Sequence, residues 1–153
     1  MRGWRIQKAK YASTAFSGEG ARRVRGRWNS RGVAVVYLAE HQALAALEVF
    51  LQTQPLSPAE NYVIIGADWD ESLMETCGVS GLPLEWRASP ATASTIAIGD
   101  RWVRETRSAV LAVPSAIIPA AKNFLINPAH PDFRRIRIHK PGPFDFDPRM
   151  LHR

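Results

Sequence analysis

The amino-acid sequence predicts an α+β domain built on a mixed or antiparallel sheet. Three observations predict it. A chain of 153 residues with 46% hydrophobic and 22% charged residues has the usage of one globular domain large enough to bury a core. Several runs rich in Val, Ile and Leu are too short for helices and read as strands. The two stretches with helical spacing do not alternate regularly with those runs, as a doubly wound parallel sheet would require. No repeat, low-complexity tract or Gly/Ser-rich linker divides the sequence, so a single compact domain is assigned to 1–153.

Each element follows from local pattern. Trp4–Ile6 is a short first strand. Ser13–Arg31 is polar, Arg-rich and broken by Gly18, Gly20 and Gly26, which reads as a long loop anchored by Phe16 and Trp28. Val33–Ala39 (VAVVYLA) is continuous and β-branched, as a buried strand is. His41–Thr53 is helical and ends before Pro55 and Pro58. Tyr62–Trp69 is a strand centred on Val63, Ile64 and Ile65, and Asp70–Ala91 is turn-rich. Ala93–Arg107 carries Ile96, Ile98, Trp102 and Val103 on a helix. Ala109–Val113 and Phe124–Ile126 are short strands, and Arg135–His139 alternates as a half-buried strand should.

Composition excludes several classes. Cys77 is the sole cysteine, so no intramolecular disulfide and no multi-cysteine zinc site can form; a reducing compartment fits. The longest mostly apolar stretch, Ala109–Ala121, contains Pro114, Ser115 and Pro119 and falls short of the roughly 18 apolar residues of a membrane span. The opening MRGWRIQKAK has no apolar run after its basic residues and does not read as a signal peptide. The net charge of +6 is uneven: residues 1–31 carry +8, residues 32–133 carry −6 and residues 134–153 carry +4. Basic ends invite a polyanion reading. GxSxG, GxxxxGK[ST], GxGxxG and HExxH are all missing from the sequence, which leaves hydrolase-elbow, P-loop, Rossmann and zincin readings without support.

A few residues stand out against their surroundings. Glu48 is the one non-apolar position in Ala43–Leu51 (ALAALEVFL). It either occupies the outward stripe of that helix or is a partly desolvated carboxylate at a site, with Arg as its natural partner. Arg22, Arg23, Arg25, Arg27 and Arg31 suit phosphate, whose oxygens the guanidinium fork matches, or simply form a solvated loop. Arg27 is set apart by Gly26 and Trp28. Tyr37 interrupts an aliphatic strand, either as a core tyrosine with a partnered hydroxyl or as a ring lining a pocket. Ser115 and the Asn127-Pro-Ala-His130 segment follow strands, where site residues gather; His130 is equally a rigid-turn residue.

Taken together, WRI at Trp4–Ile6, AFSGEGA at Ala15–Ala21, GRWNSRG at Gly26–Gly32 and VVYLAEHQALAALE at Val35–Glu48 resemble the RES domain. IGDRW at Ile98–Trp102, VPSAI at Val113–Ile117, NFLINPAHPDF at Asn123–Phe133 and FDFDPRM at Phe144–Met150 continue the resemblance over nearly the whole chain. The family is named for Arg, Glu and Ser and supplies toxins paired with Xre-type antitoxins. The resemblance implies a fold like the diphtheria-toxin type of ADP-ribosyltransferase and action on NAD+. That action is hydrolysis, phosphorolysis, or transfer of ADP-ribose to a protein such as phosphoribosyl pyrophosphate synthetase. It places catalytic roles on Glu48, Arg27 and Tyr37 and NAD+ contacts on Arg27, Trp28, Asn29, Tyr37, Ser115 and Asn127, with no metal. One departure is Arg25-Gly26, where the family often has two glycines.

The resemblance also implies an antitoxin that blocks the active site, a bacterial cytoplasmic location, association with the antitoxin or with itself, and neither a membrane nor a direct nucleic-acid role. The competing reading is a small basic nucleic-acid-binding module, which would show the steep salt dependence of phosphate contacts. No helix-turn-helix, OB-fold or RNP pattern supports it.

Overall fold

The structure, a computed structural model, describes residues 1–151. Its strands are β1 (Arg2–Lys8), β2 (Val36–Ala39), β3 (Tyr62–Asp68), β4 (Met74–Thr76), β5 (Val110–Pro114), β6 (Lys122–Ile126), β7 (Arg137–Ile138) and β8 (Gly142–Phe144). They form one sheet in the order β4-β5-β6-β2-β1-β3-β7, with β8 also paired to β3. β4 runs parallel to β5, and every other pairing is antiparallel. The sheet is therefore mixed and the fold α+β, as the sequence predicts. The helices are α1 (Glu19–Arg23), α2 (Gln42–Gln52) and α3 (Ala93–Glu105).

Register sorts the side chains onto two faces, because neighbouring residues of a strand point to opposite sides. Trp4 lies opposite Ala39, Ala39 opposite Asn123, and Tyr37 opposite Leu125, which is itself opposite Leu111. These residues share one face, and both longer helices cover it. α2 packs Leu44 and Ala45 onto Ile6, Ala39 and Tyr62, while α3 packs Trp102 onto Val35, Leu111 and Leu125. On the other face Val36, Leu38, Val110, Ala112, Phe124 and Ile126 are covered by Trp69, Leu73, Ile136 and, from partly buried positions, Phe16 and Phe133. The edge is clasped by charge: Arg2 donates two hydrogen bonds to Asp68, whose Oδ2 also meets His139 Nε2 at 2.8 Å.

Four expectations are corrected. Ser13–Arg31 is not wholly loop, since α1 forms within it after Gly18, which adopts a positive φ of 75°. The second strand starts at Val36 rather than Val33, because Val33 N–H is turned back to the Ser30 carbonyl at 3.2 Å. Asp70–Ala91 contains β4, three residues too few to show a period. At Arg135–His139 the alternation fails: Ile136 is buried but Ile138 is 41% exposed, and only two residues pair. Strand β8 was not foreseen; its Pro143 is tolerated at a sheet edge.

Gly99 of α3 shows how tightly the helix meets the loop before β2. A Cβ there would lie 1.8 Å from the Trp28 carbonyl oxygen. Helix propensity alone would reward Gly→Ala by about 1 kcal/mol, but this overlap reverses the sign. Gly99→Ala is expected to lower stability by about 1–3 kcal/mol in chemical denaturation. An unchanged or raised midpoint would refute the contact.

Candidate active site

Residues 24–33 form a loop that leads into β2 and packs against α3, and that loop carries Arg27. The loop has no regular pairing, so its polar groups must be met otherwise. Asn29, fully buried, does most of this: its Nδ2 donates to the carbonyls of Ala21 at 2.8 Å and Ser30 at 3.0 Å, and its Oδ1 accepts from the Tyr37 hydroxyl at 2.6 Å. That hydroxyl accepts from Trp28 N–H at 3.2 Å. Gly26 N–H donates to the Asn29 carbonyl at 3.0 Å. A Cβ at Gly26 would lie 2.6 Å from both Asn29 Oδ1 and the Tyr37 hydroxyl oxygen, so glycine is required there while Arg25 can replace the preceding one. Ser30 N–H donates to Asp100 Oδ1 at 2.9 Å and its hydroxyl to Asp100 Oδ2, tying the loop to α3.

Arg27 leaves this scaffold half-buried. Its Nη1 donates to the carbonyls of Trp86 at 2.7 Å and Ala88 at 2.9 Å. Between them, Arg87 donates from Nε to the Ala116 carbonyl at 3.0 Å. Burial lowers the Arg27 pKa and the Glu48 charge opposes that shift.

Glu48 lies one helical turn beyond Leu44, on the sheet-facing side of α2. It does not occupy the outward stripe, where the exposed Ala43 lies. Its Oε1 accepts from Asn123 Nδ2 at 2.7 Å. Burial pushes its carboxyl above the usual range, while the Asn123 hydrogen bond and the Arg27 charge pull it back. Tyr37 sits one strand over, half-buried, and burial raises its hydroxyl too. The charges of Arg27 and Glu48 both act on it. Arg27, Tyr37 and Glu48 thus lie close enough for their charges to act on one another: a cation, an aromatic ring and a partly desolvated carboxylate.

The other expected residues have different surroundings. Trp28 is 2% exposed, in the core with Val35, Trp102 and Leu111. Ser115 is fully buried, its Oγ accepting from the N–H groups of Ile117 and Ile118. Asn127 is 2% exposed and its Oδ1 accepts from Ala129 N–H. The side-chain oxygens of Ser115 and Asn127, like the carboxamide of Asn29, hold local turns. His130 caps the 3-10 turn Pro131–Arg135 through Nδ1, matching its turn reading. Arg23, Arg25 and Arg31 line a separate cavity of about 540 Å³ with Ile96, Ala97 and Asp100.

Sequence reasoning missed Asn123, Arg87 and Arg5. Asn123 follows Lys122 at the polar start of β6, ahead of the apolar Phe124–Ile126, and that was its only signal. Arg5 donates to the Tyr37 carbonyl at 3.0 Å and to Gln7 Oε1 at 2.9 Å, and burial brings its pKa down to about 10. Among the described residues no group of three or more His, Cys, Asp or Glu could hold a metal ion. No described helix is long and apolar enough to cross a membrane.

Comparison with known proteins identifies the family. The chain is 41% identical over 156 residues to the Prs ADP-ribosylating toxin of Sphingobium sp. (strain YBL2), covering 98% of this chain and 96% of that protein. It is 34% identical over 148 residues to Toxin Res of Yersinia enterocolitica, covering 96% and 97% respectively. The crystal structure of the M. tuberculosis MbcT–MbcA toxin–antitoxin complex contains a chain of similar fold. There the TM-score is 0.76 at 18% identity, over 94% of this chain and 83% of that one. The RES domain matches residues 2–147, and the chain belongs to the RES domain family.

Proposed function

We propose that the chain is an NAD+-consuming toxin that breaks the nicotinamide–ribose bond. The observation that carries this reading is the partly buried Glu48 carboxylate, held by Asn123 on the helical face of the sheet within charge reach of Arg27 and Tyr37. When that bond breaks, its electron pair leaves with nicotinamide and positive charge develops on the ribose. A fixed carboxylate in a partly water-excluded site stabilises that charge and accepts a hydrogen bond from a ribose hydroxyl. Arg27 takes a pyrophosphate oxygen through the face of its guanidinium not occupied by Trp86 and Ala88, and the Tyr37 ring packs against nicotinamide. Trp28, Asn29, Ser115 and Asn127 act by holding the turns that place these three groups.

ADP-ribose then passes to a protein acceptor, water or phosphate. The relative named a Prs ADP-ribosylating toxin favours a protein, phosphoribosyl pyrophosphate synthetase being the first to try. An Xre-type antitoxin that covers Arg27, Tyr37 and Glu48 belongs to the same reading, and the occurrence of a chain of similar fold in a toxin–antitoxin complex supports an antitoxin partner. The assay is purified protein with NAD+, with and without phosphate or cell extract, read by mass spectrometry. Free ADP-ribose, its phosphate and a modified protein have distinct masses, and intact NAD+ under every condition would refute the reading.

Two variants separate the roles. Glu48→Gln should reduce nicotinamide release by on the order of 10²–10³-fold without loss of fold. Because burial raises the folded pKa of Glu48 above its unfolded value, the ionised group opposes folding. The penalty is absent below the ordinary carboxylate range and grows as pH rises through the raised pKa. Glu48→Gln should therefore be more stable than the wild type at neutral pH, the two converging in acid, as followed by Tm against pH. Tyr37→Phe keeps the ring and should keep bond cleavage. It should lose about 1–3 kcal/mol of stability because Asn29 Oδ1 is left without its donor; Tyr37→Ala should lose both.

A further inference from the structure

We infer that Asn123 is a positioning residue, whose carboxamide exists to hold the Glu48 side chain in one orientation on the helical face of the sheet. The inference rests on the proposed role of Glu48 and extends it to a residue on another element.

Three observations converge. Asn123 is the second residue of β6, opposite Ala39 of β2 and Val113 of β5, so its strand is paired on both sides by backbone and needs no side-chain bond to fix its register. Its Nδ2 donates to Glu48 Oε1 at 2.7 Å across 75 positions of sequence. Its Oδ1 is buried and has no hydrogen-bond partner among the described residues. A carboxamide on a central strand with one end unmet is destabilising relative to an apolar side chain of the same size. Apart from packing, the one interaction it gives in return is with Glu48.

The chemistry is directional. A carboxylate only accepts hydrogen bonds, and an amide N–H donates at every pH at which the protein folds. The orientation with Nδ2 forward therefore matches an ionised Glu48. The groups facing Glu48 are Arg27 from the loop, Tyr37 from β2 and Asn123 from β6, with Arg87 acting on Arg27. Arg27 supplies charge from a side chain that also holds the Trp86 and Ala88 carbonyls. Asn123 supplies a fixed direction from a strand paired on both sides.

The test compares wild type with Asn123→Leu, which is close in size and makes no hydrogen bond, and with Asn123→Ala in case leucine does not fit. The Glu48 carboxyl is titrated by carbon-13 NMR, its signal assigned by its loss in Glu48→Gln, and NAD+ cleavage is followed against pH. The expected result is a Glu48 titration and an acidic limb of activity both moved up by about one pH unit, the scale of one charge-assisted hydrogen bond. At the same time kcat should fall about tenfold, with KM little changed and the melting temperature equal or higher. A Glu48 titration unchanged in both variants overturns the inference, as does a loss of stability with an unmoved pH profile, which would make Asn123 merely structural. If Glu48→Gln retains full cleavage, the functional reading falls, while the NMR titration still decides whether Asn123 governs Glu48.

Discussion

The arrangement of the whole site depends on one buried carboxamide. Asn29 has no exposed surface, and its amide gathers the carbonyls of Ala21 and Ser30 while its oxygen receives the Tyr37 hydroxyl. A ten-residue loop without ladder hydrogen bonds is held instead by this side chain, by Asp100 and the Tyr37 hydroxyl, and by a few backbone turns. Gly26 and Gly99 are the steric corollaries: each leaves room where a methyl group would meet this packed turn. Arg27 is therefore presented from a rigid base even though its own side chain is only half-buried.

Glu48 opposes this economy. The fold places a carboxylate on the inward side of α2, among Leu44, Ala45 and the sheet, where an apolar residue would be more stable. The group is kept tolerable by one neutral donor and one nearby cation. Neither neutralises it completely, and a carboxylate left partly unsatisfied is able to respond to new positive charge beside it. Stability and reactivity thus draw on the same atoms in opposite directions.

Much of this was legible in the sequence and some was not. A Glu alone among eight apolar residues, a Tyr inside an aliphatic strand and an Arg between Gly and Trp are each exceptions to a local pattern, and the three meet in space. The fully apolar run of β5 and the helix carrying Ile96, Ile98, Trp102 and Val103 were equally readable. Ser115, Asn127, Trp28 and Asn29 were noticed as residue types, but whether a buried polar group faces a ligand or a turn depends on which backbone N–H groups lie near it. Asn123 was hidden because one polar residue at a strand end is ordinary; its meaning comes from Glu48, 75 positions away. β4 and β8 have three residues each, and their pairing is set by β5 and β3 rather than by their own composition.

The place of β6 in the sheet has a temporal consequence. Residues 122–126 lie between β5 and β2, although they follow β2 by more than eighty positions in the chain. On the ribosome, where domains generally form from the N-terminus onward, Arg27, Tyr37 and Glu48 are all synthesised long before the strand that completes the floor beneath them. The growing polypeptide carries these three residues before the strand that holds Glu48 through Asn123 exists. Their arrangement can come into being only once residues 122–126 have been made.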